Sequence, residues 1–365
     1  MKDKEVKIPV AFSALDPYLE SNIVTNTEKE IRGQKFIEFG DRNQYPNYIW
    51  DLYSNVSTLQ SIINGTKDYV KGDKITSNSI MLSDRQAEEL VDTLALDLLI
   101  YGGTYISVLR NRMGDVVVLD PLDFRNCRSD KKNEMFFYSA DFSNKKSYGR
   151  CKVNVYPKFD KDKRDVASSI FFYKNIKHQT YPVPCWSSAV IAAEIQKNIN
   201  QYHLNNLYNG FAPNTIVSFN NGVPSDEVRE EIERQFNEKY SGYENAGRII
   251  LNWAVDKEHG VTIQKIESND HATRYNELKE RSEDELFVAF RATPNLFGLP
   301  TKTTGFNSQE YADAFKLYQK TVIQPLQSTI CNIVDDITGA EHSIAIEPFK
   351  IDFESLNNND TETIQ

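Results

Sequence analysis

Residues 291–339 read RATPNLFGLPTKTTGFNSQEYADAFKLYQKTVIQPLQSTICNIVDDITG. Gly298 to Phe306 holds two glycines, one proline and three threonines, a composition that disfavours helix and strand and predicts a polar loop. Asn307 then caps a helix, with Glu310 three positions on to return the bond. Apolar side chains recur at Tyr311, Phe315, Tyr318, Val322, Leu326, Ile330, Ile333 and Ile337, in steps of three and four that place them on one helical face. At about 1.5 Å per residue, Asn307 to Ile337 would span roughly 45 Å. Pro325 lacks an N–H and its ring crowds the preceding turn, so the helix is expected to bend there.

Just upstream, 270–290 predicts a charged helix with six acids and three bases, Arg274, Lys279 and Arg281. An earlier helix, capped by Ser187 or Ser188 after the rigid Pro182–Trp186 link, carries Val190, Ile191, Ile195, Ile199, Tyr202 and Leu207 on one face and ends at Asn209-Gly210. Between these two helices lies a small α/β insert, with strands near 215–219, 248–255 and 261–266 and a helix near 225–240.

The N-terminal half mixes both element types. Residues 1–30 form a polar arm, 36–39 are strand-like, and Gly40 to Pro46 is a turn cluster. One helix follows, with Tyr48, Leu52, Val56, Leu59, Ile62 and Ile63 as its apolar face, Tyr69 and Val70 extending it and Gly72 stopping it. A second helix, about 84–100, is capped by Ser83 and ended by Gly102-Gly103. Thr104 to Leu109 and Asp115 to Leu119 form a hairpin about Asn111–Gly114, and Asp120-Pro121 breaks the returning strand. Further strands are expected at 135–138, 152–156, 170–173 and 343–349, the last followed by a polar tail. The fold class is therefore α+β.

The chain has 365 residues, enough for two or three cores. No apolar run is long enough to cross a bilayer, and the N-terminus lacks the apolar core and cleavage site of a secretory signal. Four widely spaced cysteines, with no CxxC pair, read as reduced thiols. A net charge of −10 argues against tight, nonspecific grip on nucleic acid, which needs a basic face.

Chemistry-bearing patterns are sparse. The five histidines are scattered without metal-ligand spacing. Gly298 to Thr303 has the composition of a phosphate loop but lacks the glycine before Lys302. Asp160, Asp162 and Asp165 lack the glycine and the distal glutamate of a calcium loop. Asp335-Asp336 would be paired carboxylates only with partners the sequence does not show, and no Ser- or Cys-centred nucleophile motif occurs. The expectation is no enzyme activity, no cofactor and no metal.

Several stretches, taken in order, resemble the tailed-bacteriophage portal protein family. Tyr101 to Phe124 (YGGTYISVLRNRMGDVVVLDPLDF) is similar to the family's wing, a helix followed by a hairpin and a Leu-Pro corner. Here Gly102-Gly103 stands where the family usually has Gly-Asn. Gly40 to Pro46 resembles the approach to that wing. Tyr208 to Pro213, the helix from Ser225, and Tyr240 to Arg248 resemble the clip. Ala292 to Gly298, Asn307 to Glu310 and Thr321 to Leu326 resemble the tunnel loop and tunnel helix.

The resemblance implies a layout of N-terminal arm 1–30, α/β wing 31–186, stem helix 187–211, small α/β clip 212–267, second stem helix 268–291, tunnel loop region 292–306, long kinked tunnel helix 307–339, and C-terminal strand and tail 340–365, without a large crown. It implies a ring, usually of twelve copies, at one capsid vertex of the virion, assembled in the host cytoplasm. Double-stranded DNA would pass through its channel during packaging and ejection. Partners would be the chain itself, the major capsid protein, the terminase large subunit and a head-completion adaptor, with no membrane. Thr301, Lys302, Thr303, Thr304 and Asn307 would face DNA. Arg274, Lys279 and Arg281 would line the stem or pair between subunits, and Glu227, Arg229, Glu230 and Arg234 would meet terminase or adaptor. The alternatives are a head–tail connector or minor capsid protein without a conduit, and a metal-dependent nuclease acting through acidic clusters.

Overall fold

The computed structural model describes residues 27–31, 33–140, 142, 153–208, 215–219, 225, 228, 231, 234, 249–253, 262–265, 271–299 and 308–350. The chain divides into two compact units, one of residues 192–286 and one of the segments before and after it.

In the larger unit, five antiparallel strands form one sheet: β1 (Glu28–Ile31), β2 (Gln34–Ile37), β6 (Cys127–Ser129), β7 (Met135–Tyr138) and β8 (Asn154–Pro157), in the order β1-β2-β6-β7-β8. The arm expected to run through residue 30 therefore ends earlier, because Glu28 to Ile31 pair with Gln34 to Ile37 across the Gly33 turn. The Gly40–Pro46 cluster is held onto this sheet. Gly40, Arg42 and Asn43 all adopt positive φ (76°, 50° and 62°). Asn43 is buried and its Oδ1 accepts from Phe39 N at 2.9 Å and from Arg128 Nε. The fully buried Arg128 also donates to the Asn43 carbonyl (2.8 Å) and lies 4.8 Å over the Phe142 ring. Asn tolerates the left-handed region and supplies a side-chain acceptor, so one residue makes both the turn and the anchor.

The single helix expected after this turn is two helices, α1 (Tyr45–Asn55) and α2 (Ser57–Lys71), divided at Val56, which is extended (φ −110°, ψ 103°). The apolar spacing hid the break because Val56 is itself buried and belongs to the same core as Leu52 and Leu59. β3 (Lys74–Ser77) follows and pairs antiparallel with the last strand, β13 (Ile344–Glu347), with Ile75 opposite Ile346. A Cβ on Gly72 would sit 2.0 Å from the Glu347 carbonyl oxygen, so this junction requires glycine. α3 (Asp84–Tyr101) is capped by Ser83 and ends at left-handed Gly102, as the sequence predicts, and Gln86 returns the bond to Ser83 in a reciprocal capping box.

β4 (Gly103–Arg110) is the centre of a three-stranded antiparallel sheet, flanked by β5 (Val116–Leu122) and β9 (Ser168–Lys174). Asp120-Pro121 was expected to end the returning strand, yet β5 runs through both, with Pro121 opposite Ile106. β5 is an edge strand, and there a proline need not leave a neighbouring strand without its donor.

Trp186 is fully buried and donates Nε1–H to Leu99 O at 3.0 Å. Neither Ser187 nor Ser188 caps the next helix; a 3-10 turn, Ser187–Ala189, leads into α4 (Val190–Tyr208). In the smaller unit, β10 (Thr215–Phe219) lies between parallel β11 (Ile249–Trp253) and antiparallel β12 (Thr262–Lys265). The described positions Val228, Glu231 and Arg234 are helical. α5 (His271–Ala289) returns to the larger unit.

The long helix also differs from its expectation. α6 (Ser308–Tyr318) and α7 (Gln324–Thr338) are joined by a π-helical turn, Gln319–Ile323, in which Gln324 N donates to Gln319 O. This wider turn stands where a bend at Pro325 was expected, and it loosens the turn that the proline ring would crowd. It also advances the buried face by one residue. The expected series Tyr318, Val322, Leu326 becomes Tyr318, Ile323, Gln327, after which Ile330, Ile333 and Ile337 are buried as expected. Gln327 satisfies its buried amide by donating to Val70 O at 2.9 Å.

Candidate functional site

The stretch 298–307 is where the sequence places the loop of interest. Gly298 and Leu299 are described; Thr301, Lys302, Thr303, Thr304 and Asn307 lie outside the described residues. The described residues on either side of this stretch stand on one aromatic cluster. On the N-terminal side, Ala292 N bonds to Phe287 O (2.9 Å), and a 3-10 turn, Pro294–Phe297, ends at left-handed Gly298. Tyr69 of α2 donates its hydroxyl to Leu296 O at 2.6 Å. The Phe297 ring meets Tyr69 and Tyr318 edge-on, at 6.3 and 6.2 Å between centroids. Gly65 makes room: a Cβ there would lie 2.6 Å from the Phe297 ring. On the C-terminal side, Phe315 lies 5.5 Å from Tyr69, and the Tyr318 hydroxyl shares a 2.7 Å hydrogen bond with Thr66. Burial, and then the neighbouring Tyr311 hydroxyl, push the Tyr69 phenol well above its usual range; burial lifts Tyr318 to about 12. Both therefore stay neutral donors near pH 7. In the sequence Tyr69 stands only at the end of a helical face, which by itself gives no sign of this role. The signal available was Gly65 within a helical pattern, one turn before an aromatic residue.

The charged positions fall apart into separate places. Lys279 and Arg281 are exposed on α5, and Arg281 Nε lies 3.6 Å from Glu285 one turn on. Arg274 belongs to α5. Arg234 pairs with Glu231 at 2.8 Å, whereas Glu227, Arg229 and Glu230 lie outside the described residues. Exposed pairs one turn apart contribute only about 0.3–0.5 kcal/mol, so such side chains are readily released to another partner.

A cleft of about 890 Å³ opens beside β9, between the 158–166 loop and Asp336 of α7. Arg110 reaches across to donate to Asp160 O (2.8 Å) and to Lys163 O, with its guanidinium 4.8 Å over Phe159. Asp160 is spent locally, accepting from Asp162 N at 3.1 Å and pairing with Lys163 at 3.8 Å, and Asp336 pairs with Lys161 at 3.3 Å. Among the described residues, no three His, Cys, Asp or Glu side chains gather as metal ligands would. No described helix is long and apolar enough to cross a membrane.

Residues 83–364 match the family described as phage portal protein, about three quarters of the chain. The chain belongs to the phage portal protein family. An uncharacterized protein of Rickettsia felis is 29% identical to this portal-family chain over 178 residues, covering 48% of the chain and 43% of the relative. The chain thus spans under half the length of the curated relatives it matches. Its fold is similar to solved chains from the neck of gene transfer agent particles. One, from an empty particle computed with C6 symmetry, has a TM-score of 0.54 at 14% identity and covers 88% of this chain and 90% of that chain. Another, from a native particle computed with C12 symmetry, has a TM-score of 0.52 at 15% identity and covers 86% and 87%. The family expected from the sequence is thereby shown, as is the mixed helix and strand character.

Proposed function

We propose that this chain is the repeating subunit of a twelve-membered portal ring at one capsid vertex of a virion. The ring conducts double-stranded DNA inward under the terminase motor, retains it, and releases it through a head-completion adaptor. The observation that carries this reading is the compact unit 192–286, entered by α4 and left by α5, in a member of the portal family. Two helices leading to and from a small α/β unit suit a stem bearing a clip. On this reading 31–186 is the wing, 187–211 and 268–291 the stem, 212–267 the clip, 292–306 the tunnel loop region and 307–339 the tunnel helix. The related necks computed with C12 and C6 symmetry support a ring.

The chemistry is positional rather than catalytic. A conduit must not hold what it conducts, because each phosphate–cation contact retards sliding, and a chain of net charge −10 suits that need. Thr301, Lys302, Thr303, Thr304 and Asn307 would present hydroxyls, one amide and one cation per subunit to the channel, on a loop whose feet are fixed by the Tyr69–Phe297–Tyr318 cluster. Arg274, Lys279 and Arg281 would serve the stem wall or subunit pairs. Glu227, Arg229, Glu230 and Arg234 would serve the clip surface that meets terminase and adaptor.

Electron microscopy of the purified chain tests the ring. Closed rings with a central channel are expected; monomers at every concentration, or open filaments, would overturn the proposal. Lys302→Ala should leave those rings intact and change DNA retention or packaging by several-fold. Unchanged retention and packaging would remove Lys302 from the channel.

A further inference from the structure

β5 differs from every strand around it. Its neighbour β4 is buried along almost its whole length, whereas none of Val116 to Leu122 is buried, and Val117 and Val118 are 49% and 43% exposed. Four consecutive apolar residues, Val116 to Leu119, present apolar side chains on both faces of an edge strand. A half-buried strand alternates apolar with polar; a strand apolar on both faces is one covered on both faces. Exposed valine-rich edges are also a liability that monomers blunt with charge or proline, and here Asp115 and Asp120-Pro121 stand at the two ends while the four apolar residues between them carry neither.

The strand borders a groove of about 400 Å³ against α3 and the turn before it. Met81, Leu82, Leu90, Val117 and Val118 are among its apolar walls, and its charged lining residues are both acids, Asp120 and Glu89, the latter in an exposed and readily exchanged pair with Arg85 at 3.0 Å. Ile80, at its margin in sequence, is fully exposed. The groove fits an apolar side chain flanked by a base. The same chain carries that combination on the outer face of α6 and the following turn: Leu317 is 66% exposed, and Lys316 and Lys320, also exposed, lie on the same side of the helix.

We propose that the β5 edge and its groove are the docking surface for a second copy of this chain, whose Leu317–Lys320 face inserts against Val117 and Val118, with its lysines toward Glu89 and Asp120. The two surfaces differ, so the contact is head-to-tail and each copy offers one of each, the arrangement that forms a ring when its rotation closes. The inference rests on the ring reading above and assigns its surfaces.

The test uses the full chain, with assembly followed by light scattering and electron microscopy, and folding by circular dichroism. Val118→Lys and, on the other surface, Leu317→Asp should each raise the concentration for half-assembly at least ten-fold while the thermal midpoint of the monomer stays near wild type. Asp120→Lys should weaken assembly, and adding Lys320→Asp to the same chain should restore it. Rings from Val118→Lys and Leu317→Asp at wild-type concentrations would overturn the docking surface while leaving the ring reading standing. Failure of the charge exchange to restore assembly would overturn the pairing of Asp120 with Lys320. Absence of rings from the wild-type chain would instead overturn the ring reading itself.

Discussion

The feet of the 298–307 loop and the β5 edge are both rich in apolar side chains, yet the chain buries the first and leaves the second open. Leu296, Phe315 and Tyr318 are 4%, 4% and 2% exposed, against 49% and 43% for Val117 and Val118. The difference does not lie in residue type. The loop feet have α2 to stand on, and Gly65, Thr66 and Tyr69 supply space, a hydroxyl and a donor. β5 has one strand on one side and a groove on the other. Apolar residues inside a complete cluster act on the stability of the subunit; apolar residues outside one act on what the subunit joins.

Substitutions can break that division or sharpen it. Phe315→Ala removes a buried ring that touches Tyr69 and Phe349 and should cost about 3–5 kcal/mol of unfolding free energy, read by urea titration. A loss under about 1 kcal/mol would mean the loop feet are not a packed cluster. Gly65→Leu drives a side chain into the Phe297 ring and should cost about 1–3 kcal/mol. Asp97 on α3 gives an effect that depends on pH. Burial pushes its carboxyl up to about 8, although the Thr104 hydroxyl donates to it at 2.9 Å. Its folded pKa therefore exceeds its unfolded value. It costs nothing below about pH 4, and stability falls as pH rises from there to about 8. Asp97→Asn should match wild type at pH 4 and melt a few degrees higher at pH 8; equal midpoints at both would dismiss the shift. The smallest effect belongs to Val118→Lys, which should move monomer stability by no more than about 0.5 kcal/mol even as it blocks assembly.

Much of this was legible in the sequence where a local rule decides the outcome. Ser83 as a cap, Gly102, the Asn111–Gly114 turn and the three short strands of the 192–286 unit all follow from caps, turn chemistry and branched residues. What was not legible depends on neighbours. Val56 breaks a helix because its buried side chain serves the core from an extended backbone, which apolar spacing cannot reveal. The π turn before Pro325 preserves helical spacing on either side and shifts it by one, so the periodicity reads as unbroken. β6 is three residues long and holds Arg128, a residue that no apolar pattern marks as buried. The position of residues 298–307 is legible in their glycines, proline and threonines, whereas the aromatic ground beneath their flanks comes from α2, which no local pattern links to them.

The pairing of β3 with β13 has a consequence for synthesis. Ile75 and Ile346 sit opposite each other across more than two thirds of the chain, and the whole 192–286 unit is made between them. While the polypeptide is emerging from the ribosome, Lys74–Ser77 has no second strand, and the Val70 carbonyl of α2 lacks its donor, the side-chain amide of Gln327 on α7. The larger unit can reach its final form only after β13 has emerged, and pairings so distant in sequence close slowly. Each subunit is thus completed only when β13 joins β3, before any surface that depends on the finished unit is offered to a neighbour.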